Sequence, residues 1–161
     1  MVDQDLPSES GFEALSVPES NASALPEPYR ATNQQRWNRR LGDHAGLTHF
    51  GVVLTRIAPD GQSSYRHAHS LQDEFVYVLQ GEVELETNTG VQRLGAGMCA
   101  GFPAGTDNAH RFLNRSGRDV LLLVVGDRTA GDEVCYPDVD LHGQLGSDGR
   151  YHFTHKNGTP Y

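Results

Sequence analysis

The sequence is poor in positive charge. Of its 161 residues 13 are basic, twelve arginines and the single Lys156, against 21 acidic ones, for a formal net charge of −8. Gripping phosphates requires a basic face, and so does a polybasic membrane patch. Neither nucleic acid nor a membrane is therefore an expected partner. Cysteine is scarce too: Cys99 and Cys135 alone make no disulfide framework. No run approaches the roughly 20 apolar residues of a membrane span. The opening stretch MVDQDLPSES is acidic and lacks an apolar core, so it does not read as a secretory signal. These absences together suggest a cytoplasmic protein with one domain and a real core.

Periodic helical pattern is missing as well, beyond a short turn conceivable within Pro28–Gly46. Residues 1–27 carry Pro, Ser, Glu and Ala without periodicity and read as an arm that is flexible or ordered only by docking. The lone Trp37 is expected to pack on the main body or on a second subunit. From Leu47 the texture becomes short β-rich runs separated by turn residues every eight to twelve positions. THFGVVLTRI, SYRHAHS, EFVYVLQ, EVELETN, VQRLG, MCAGFPA, HRFLN and DVLLLVVGD read as strands, and DVDLHGQ with RYHFTH as a later pair. Regular spacing of this kind indicates an all-β sandwich or barrel.

Within this β-rich stretch, GQSSYRHAHSLQDEFVYVLQG holds two histidines and a glutamate in eight positions. Alternation along a strand points His67 and His69 to one face. Glu74 opens the following strand across a short turn, and His110 in HRFLN offers a third imidazole. Three imidazoles and a carboxylate suit a first-row divalent ion and leave coordination positions open for water or substrate. The expected cofactor is one divalent transition metal, with Fe, Mn, Ni and Zn all compatible.

The spacing Gly61-x5-His67-x-His69-x4-Glu74-x6-Gly81 resembles the first cupin motif in full. Gly97-x5-Pro103-x-Gly105 followed by His110-x3-Asn114 resembles the second. The departure is four residues, Thr106–Ala109, where the family commonly has two, which lengthens a loop beside the site. The resemblance implies a double-stranded β-helix, or jelly-roll, barrel over residues 47–126, with an N-terminal arm (1–46) and a C-terminal extension (127–161). It also implies a metal held by His67, His69, Glu74 and His110, and a tendency to form homodimers. The runs FGV, DEFVYVLQGE, AGFPAG, NRS, YPDVDL and HKNGTPY resemble a subgroup of small bacterial cupins. Some of its members carry sugar-phosphate isomerase labels, which rest on fold and say little about activity.

Three functional classes follow: a metal-dependent isomerase or epimerase on a sugar or sugar phosphate, a non-haem dioxygenase, and a non-catalytic ligand-binding or sensing module. Strand phase places Ser63 and Tyr65 with the histidine pair, Phe112 and Asn108 with His110, and Gln72, Val76 and Val78 with Glu74. The expected substrate pocket is thus Ser63, Gln72, Val76 and Phe112, with Arg56 as its one cationic candidate and the N-terminal arginines as outside possibilities. Arg66 and Arg111 should face outward. A phosphorylated substrate is disfavoured on this reading, and a chelating, oxygen-rich small molecule fits better. Glu74 and Tyr65 are the expected proton-transfer groups. Asp132 and Glu133 read as a solvated surface pair, the remaining histidines as outside the site, and Cys99 as core. Gly61, Gly81, Gly97 and Gly105 read as turn residues with positive φ. Protein purified without a metal-affinity tag should carry about one equivalent of divalent metal by elemental analysis, and His67→Ala should lose it. Imidazole protonation should also release the metal as pH falls through about 5 to 6.

Overall fold

A computed structural model describes residues 10–161, so the first nine residues of the expected arm lie outside it. The regular structure of the described residues is mostly strand. They are β1 Arg36–Arg40, β2 Phe50–Ile57, β3 Ala68–His69, β4 Glu74–Gln80, β5 Glu82–Thr87, β6 Gly90–Gly95, β7 Cys99–Phe102, β8 Arg111–Leu113, β9 Val120–Asp127, β10 Glu133–Tyr136, β11 Leu141–Leu145 and β12 Tyr151–Thr154. A single four-residue helix, α1 (Leu41–His44), links β1 to β2. No helix among the described residues is long and apolar enough to cross a membrane.

Three sheets result, ordered β1-β2-β9-β4-β7, β12-β11-β10-β3 and β6-β5-β8. Isolated antiparallel bridges, Gln62 with Leu113 and His67 with His110, stitch the second sheet to the third. The core is filled from both sides: Ile57, Val76, Val78, Val120 and Leu122 of the five-stranded sheet meet Val83, Leu85, Leu94 and Phe112 of the three-stranded one. Along β4, Val76 and Val78 are buried while Phe75, Tyr77 and Leu79 are exposed. This is the period-2 alternation of a sheet with one face on a core.

Two expected boundaries move. β1 falls within the expected arm, yet it pairs antiparallel with β2 from Arg36 opposite Ile57 to Arg40 opposite Val53. Its sequence RWNRR has no apolar alternation, because its inward face, Arg36, Asn38 and Arg40, lines a cavity rather than the packed core. The arm before it is also docked: Ser20 bridges Asn38, and Leu25 joins a second cluster with Val134, Tyr136 and Leu141 of the extension. The expected strand SYRHAHS shrinks to Ala68–His69, with bends over Ser63–Arg66. Trp37 lies across from Arg56 in the register, and the Arg56 guanidinium covers its ring at 4.1 Å. Cys99 is exposed rather than in the core.

Gly81, Gly97 and Gly105 take φ of +86°, +89° and +72° as expected. Gly61 does not, and its reason is crowding: a Cβ there would sit 2.7 Å from the Gln35 Cβ and 2.9 Å from the Ala58 carbonyl. The left-handed position of that turn is taken by Asp60 instead, at φ 61°.

Asn114, from the second motif, is fully buried and structural. Its Nδ2 donates to the carbonyls of Ile57 (2.8 Å) and Arg118 (2.7 Å), and its Oδ1 accepts from the backbone and hydroxyl of Ser116. Asn114→Ala should therefore lower stability by about 2–4 kcal/mol, chiefly by stranding these partners. Urea unfolding measures it, and a change under about 0.5 kcal/mol would contradict the role.

Candidate metal centre

β4 begins with Glu74, β3 ends with His69, and the bridge between His67 and His110 brings the third imidazole alongside. The backbone of His67 and His110 exchanges two hydrogen bonds, His67 N–H to His110 O at 3.0 Å and the reverse at 2.9 Å. Three imidazoles then face one carboxylate. Nε2 of His67 and of His69 each lies 3.9 Å from Glu74 Oε2, and His110 Nε2 lies 3.4 Å from Oε1. His67, His69 and Glu74 each offer a donor atom within 4.8 Å of the others, a spacing that could hold one ion. His110 stands beside this trio, its ring stacked on Phe102 with centroids 3.5 Å apart.

The outer nitrogens show which way the inner ones are prepared to act. His67 Nδ1 donates to the Tyr65 carbonyl at 3.0 Å, and His69 Nδ1 to Asp132 Oδ2 at 2.6 Å. Protons held at Nδ1 leave the Nε2 lone pairs facing Glu74, the tautomer a metal requires. His110 Nδ1 is buried and has no partner among the described residues. Borderline nitrogen donors with one carboxylate oxygen fit a first-row divalent ion.

Burial depresses the His67 pKa to about 4, against the opposing pull of Glu74, with His110 and His69 adding to the depression. Glu74 moves to about 2: burial pushes it up, but the His110 hydrogen bond and the surrounding imidazoles more than offset that. His67 thus stays neutral and able to ligate at lower pH than an ordinary histidine. The unfolded chain protonates His67 first, so this residue makes stability fall as pH drops from about 6.5 towards 4.

Asp132 is the residue that sequence reasoning missed. It reads as solvated in a DE pair, but its side chain is completely buried. The chain enters β10 so that Asp132 points under the site while Glu133 points out. Besides His69, its carboxylate accepts from Tyr151 Oη (2.8 Å) and from the backbone N–H of Leu71 (2.8 Å) and Gln72 (3.2 Å). Burial works to raise its pKa, but the His69, Leu71 and Tyr151 hydrogen bonds win and hold it below the usual carboxylate value. No spacing rule would reveal this partner, since it lies 63 residues from His69.

A cavity of about 300 Å³ opens over His67, His69 and Glu74. Ser63 and Phe112 line it as expected, but four other expectations are corrected. Tyr65 points away, its hydroxyl paired with Thr32 Oγ1 and its ring against Tyr29, because the bends before β3 break the alternation. Val76 sits in the packed core beneath the site. Gln72 braces the extension, donating to the Thr129 carbonyl and accepting from Tyr151. Arg56 faces outward, paired with Glu19 and Asp119, since alternation in β2 turns Thr55 and Ile57 inward. Arg66 and Arg111 do face outward, paired with Asp138 and Glu86. The lengthened loop is pinned by Asn88, whose Nδ2 donates to the Asp107 carbonyl.

The cupin domain family matches residues 53–126. A structure from Silicibacter pomeroyi, described as a sugar phosphate isomerase from a cupin superfamily, superposes with a TM-score of 0.89 at 38% identity, over 94% of this chain and 96% of its own. This chain belongs to the cupin superfamily. A second cupin-like structure, from Acidithiobacillus ferrooxidans and given a provisional sugar phosphate isomerase name, matches at 30% identity and TM-score 0.70, over 78% of this chain and 80% of that one. The polyketide cyclase RemF of Streptomyces resistomycificus shares the fold alone, at 22% identity and TM-score 0.60. No curated protein sequence matches the chain.

Asp132 supplies a test that leaves the ligands themselves intact. Asp132→Asn should weaken metal binding 10- to 100-fold, read by competition with a chromogenic chelator. Tyr65→Phe should leave affinity within about 2-fold, since its hydroxyl is turned from the site.

Proposed function

We propose that this cupin is a metal-dependent enzyme of the isomerase type, acting on a small polyhydroxylated substrate inside a double-stranded β-helix barrel. One observation carries the reading: the His67–His69–Glu74 trio forms the floor of a cavity whose walls present Asn33, Asn38, Thr55 and Ser63. Amide and hydroxyl groups of this kind recognise sugar hydroxyls, and the volume is at the small end for ligand pockets. The isomerase name borne by the Silicibacter structure, matched over nearly the whole chain, supports the same direction.

In this reading His67, His69, Glu74 and His110 hold the ion. A divalent ion, when bound, supplies Lewis-acid polarisation of a substrate oxygen. The chain's own residues do the rest. Amide and hydroxyl groups on the wall orient the hydroxylated carbons. Tyr136 takes the proton-donor role expected of Tyr65: it lines the cavity and stacks on His67 with ring centroids 5.9 Å apart. Burial raises its pKa, so it remains a protonated donor able to hydrogen-bond a substrate oxygen. Glu74 is the only carboxylate lining the cavity among the described residues, and in this reading its oxygen not bound to the ion accepts the proton from carbon.

Metal-loaded protein should exchange deuterium from D2O into the carbon next to the carbonyl of an aldose, a ketose or their phosphates, seen by proton NMR. Tyr136→Phe should slow this exchange about 10²-fold or more. Absence of exchange across the panel, in protein carrying one metal equivalent, would sink the isomerase reading, and oxygen uptake with the same panel would replace it with an oxidative one.

A further inference from the structure

The inward face of β1 carries a polar stripe at alternate positions, Arg36, Asn38 and Arg40, and all three line the cavity. The two arginines differ in kind. Arg40 is largely exposed at the rim and pairs with Asp43 at 3.8 Å. Arg36 is only partly exposed, donates one Nη1 hydrogen bond to the Ser63 carbonyl at 2.5 Å, and has a buried Nε with no partner. Among the described residues no carboxylate lies within ion-pair distance of it, whereas Arg39, Arg56, Arg66, Arg111 and Arg128 all have one.

A buried guanidinium without a counter-charge is costly, and natural chains rarely keep one unless something supplies the missing anion. The described protein offers only the more distant field of Glu74, outside ion-pair range, and the cavity into which Arg36 opens has room for a ligand. Charge count agrees. Neutral imidazoles and one carboxylate around a divalent ion leave a net single positive charge, and Arg36 adds a second. A substrate bearing two negative charges would neutralise both, and one bearing a single charge would neutralise one of them. The planar fork of an arginine suits the paired oxygens of a carboxylate or phosphate, and unlike a lysine it keeps its charge when buried.

We propose that Arg36 is the anion-binding residue of this cavity, taking a carboxylate or phosphate group of the small polyhydroxylated substrate whose other end lies over His67, His69 and Glu74. This deepens the functional reading above and rests on it for the identity of the substrate's remainder. It reverses the disfavour that strand phase around the histidines attaches to a phosphorylated substrate. Arg36 lies on β1, outside the 53–126 cupin match, so the shared core holds the metal donors while a flanking strand selects the charge of the substrate.

The test uses inorganic phosphate and acetate as probes on metal-stripped and metal-loaded protein, at ionic strength matched with chloride. Thermal unfolding is read in each state. One probe or both should raise the Tm of the wild type by about 2–4 °C near saturation. A shift with phosphate alone assigns a phosphorylated substrate, and one with acetate alone a carboxylated one. Arg36→Gln should abolish the shift while keeping the wild-type metal content by elemental analysis. Arg36→Lys should recover less than half of it. Circular dichroism checks that each variant is folded, and Arg36→Met serves if the glutamine variant is not. No shift in the wild type, or an equal shift in Arg36→Gln or Arg36→Met, overturns the proposal. Metal content separates the two readings: an Arg36-dependent shift in protein that binds no metal upholds the anion site and removes the metalloenzyme. A full metal complement with no shift does the reverse.

Discussion

The structure turns on one unfavourable act, the burial of a carboxylate. Glu74 enters the interior at the start of β4, directly above Val76 and Val78 on the same strand face. An ionised carboxylate there would cost several kcal/mol or be forced to protonate. Its pKa is instead held low, chiefly by the hydrogen bond from His110 Nε2 at 3.4 Å. The three imidazoles must in turn be aimed. The double backbone bridge between His67 and His110 aims two of them, and Asp132 aims His69. Much of the surrounding architecture serves to keep these three supports in place, from the antiparallel pairing of β3 with β10 to the Asn114 clasp below.

Asp132 shows how far such support extends. It is a second buried carboxylate, and it is held in check by a different device, a ring of donors that includes two backbone N–H groups and the Tyr151 hydroxyl. Tyr151 sits on β12 and also leans on Gln72, just before β4. The extension therefore does more than cover the site. Through Asp132 and Tyr151 it fixes the tautomer of His69, a candidate metal ligand, and truncating it would free that imidazole to rotate.

The legible part of this molecule was the part governed by short-range rules. Glycine and asparagine punctuation marked most turns, and alternation correctly put Val76 inside and Phe75 outside along β4. The ligand candidates His67, His69 and Glu74 were visible because they lie within eight positions of each other. Alternation failed where the backbone bends: Ser63–Arg66 are not strand, so Tyr65 swings out of phase although His67 and His69 keep theirs. Arg56 failed for the opposite reason, since β2 is a regular strand and its phase is set by Ile57 in the core, not by the histidines. Asp132 was hidden, and Arg36 entered only among the N-terminal arginines as an outside possibility, because each looks like an ordinary surface residue in its own neighbourhood. A charged residue with no apolar company is read as solvated, and only three-dimensional burial distinguishes the exceptions.

Those exceptions share a location, and the physics explains why. The middle of the chain must satisfy the packing of two facing sheets, so its inward positions are committed to Ile57, Val78, Val83, Leu85, Phe112 and Leu122. Few inward positions there are free to carry a polar group without breaking the core. The flanking strands have no such obligation. β1 is an edge strand whose inward face sees a cavity, and β10 and β12 close the far wall with Tyr136 and Tyr151. Polar variety can accumulate on these walls at little cost to folding, while the donors on the floor stay fixed by their neighbours. A fold arranged in this way can change what it binds by changing its ends, and that division accounts for finding Arg36, with its buried and unpartnered Nε, on β1 rather than beside the histidines.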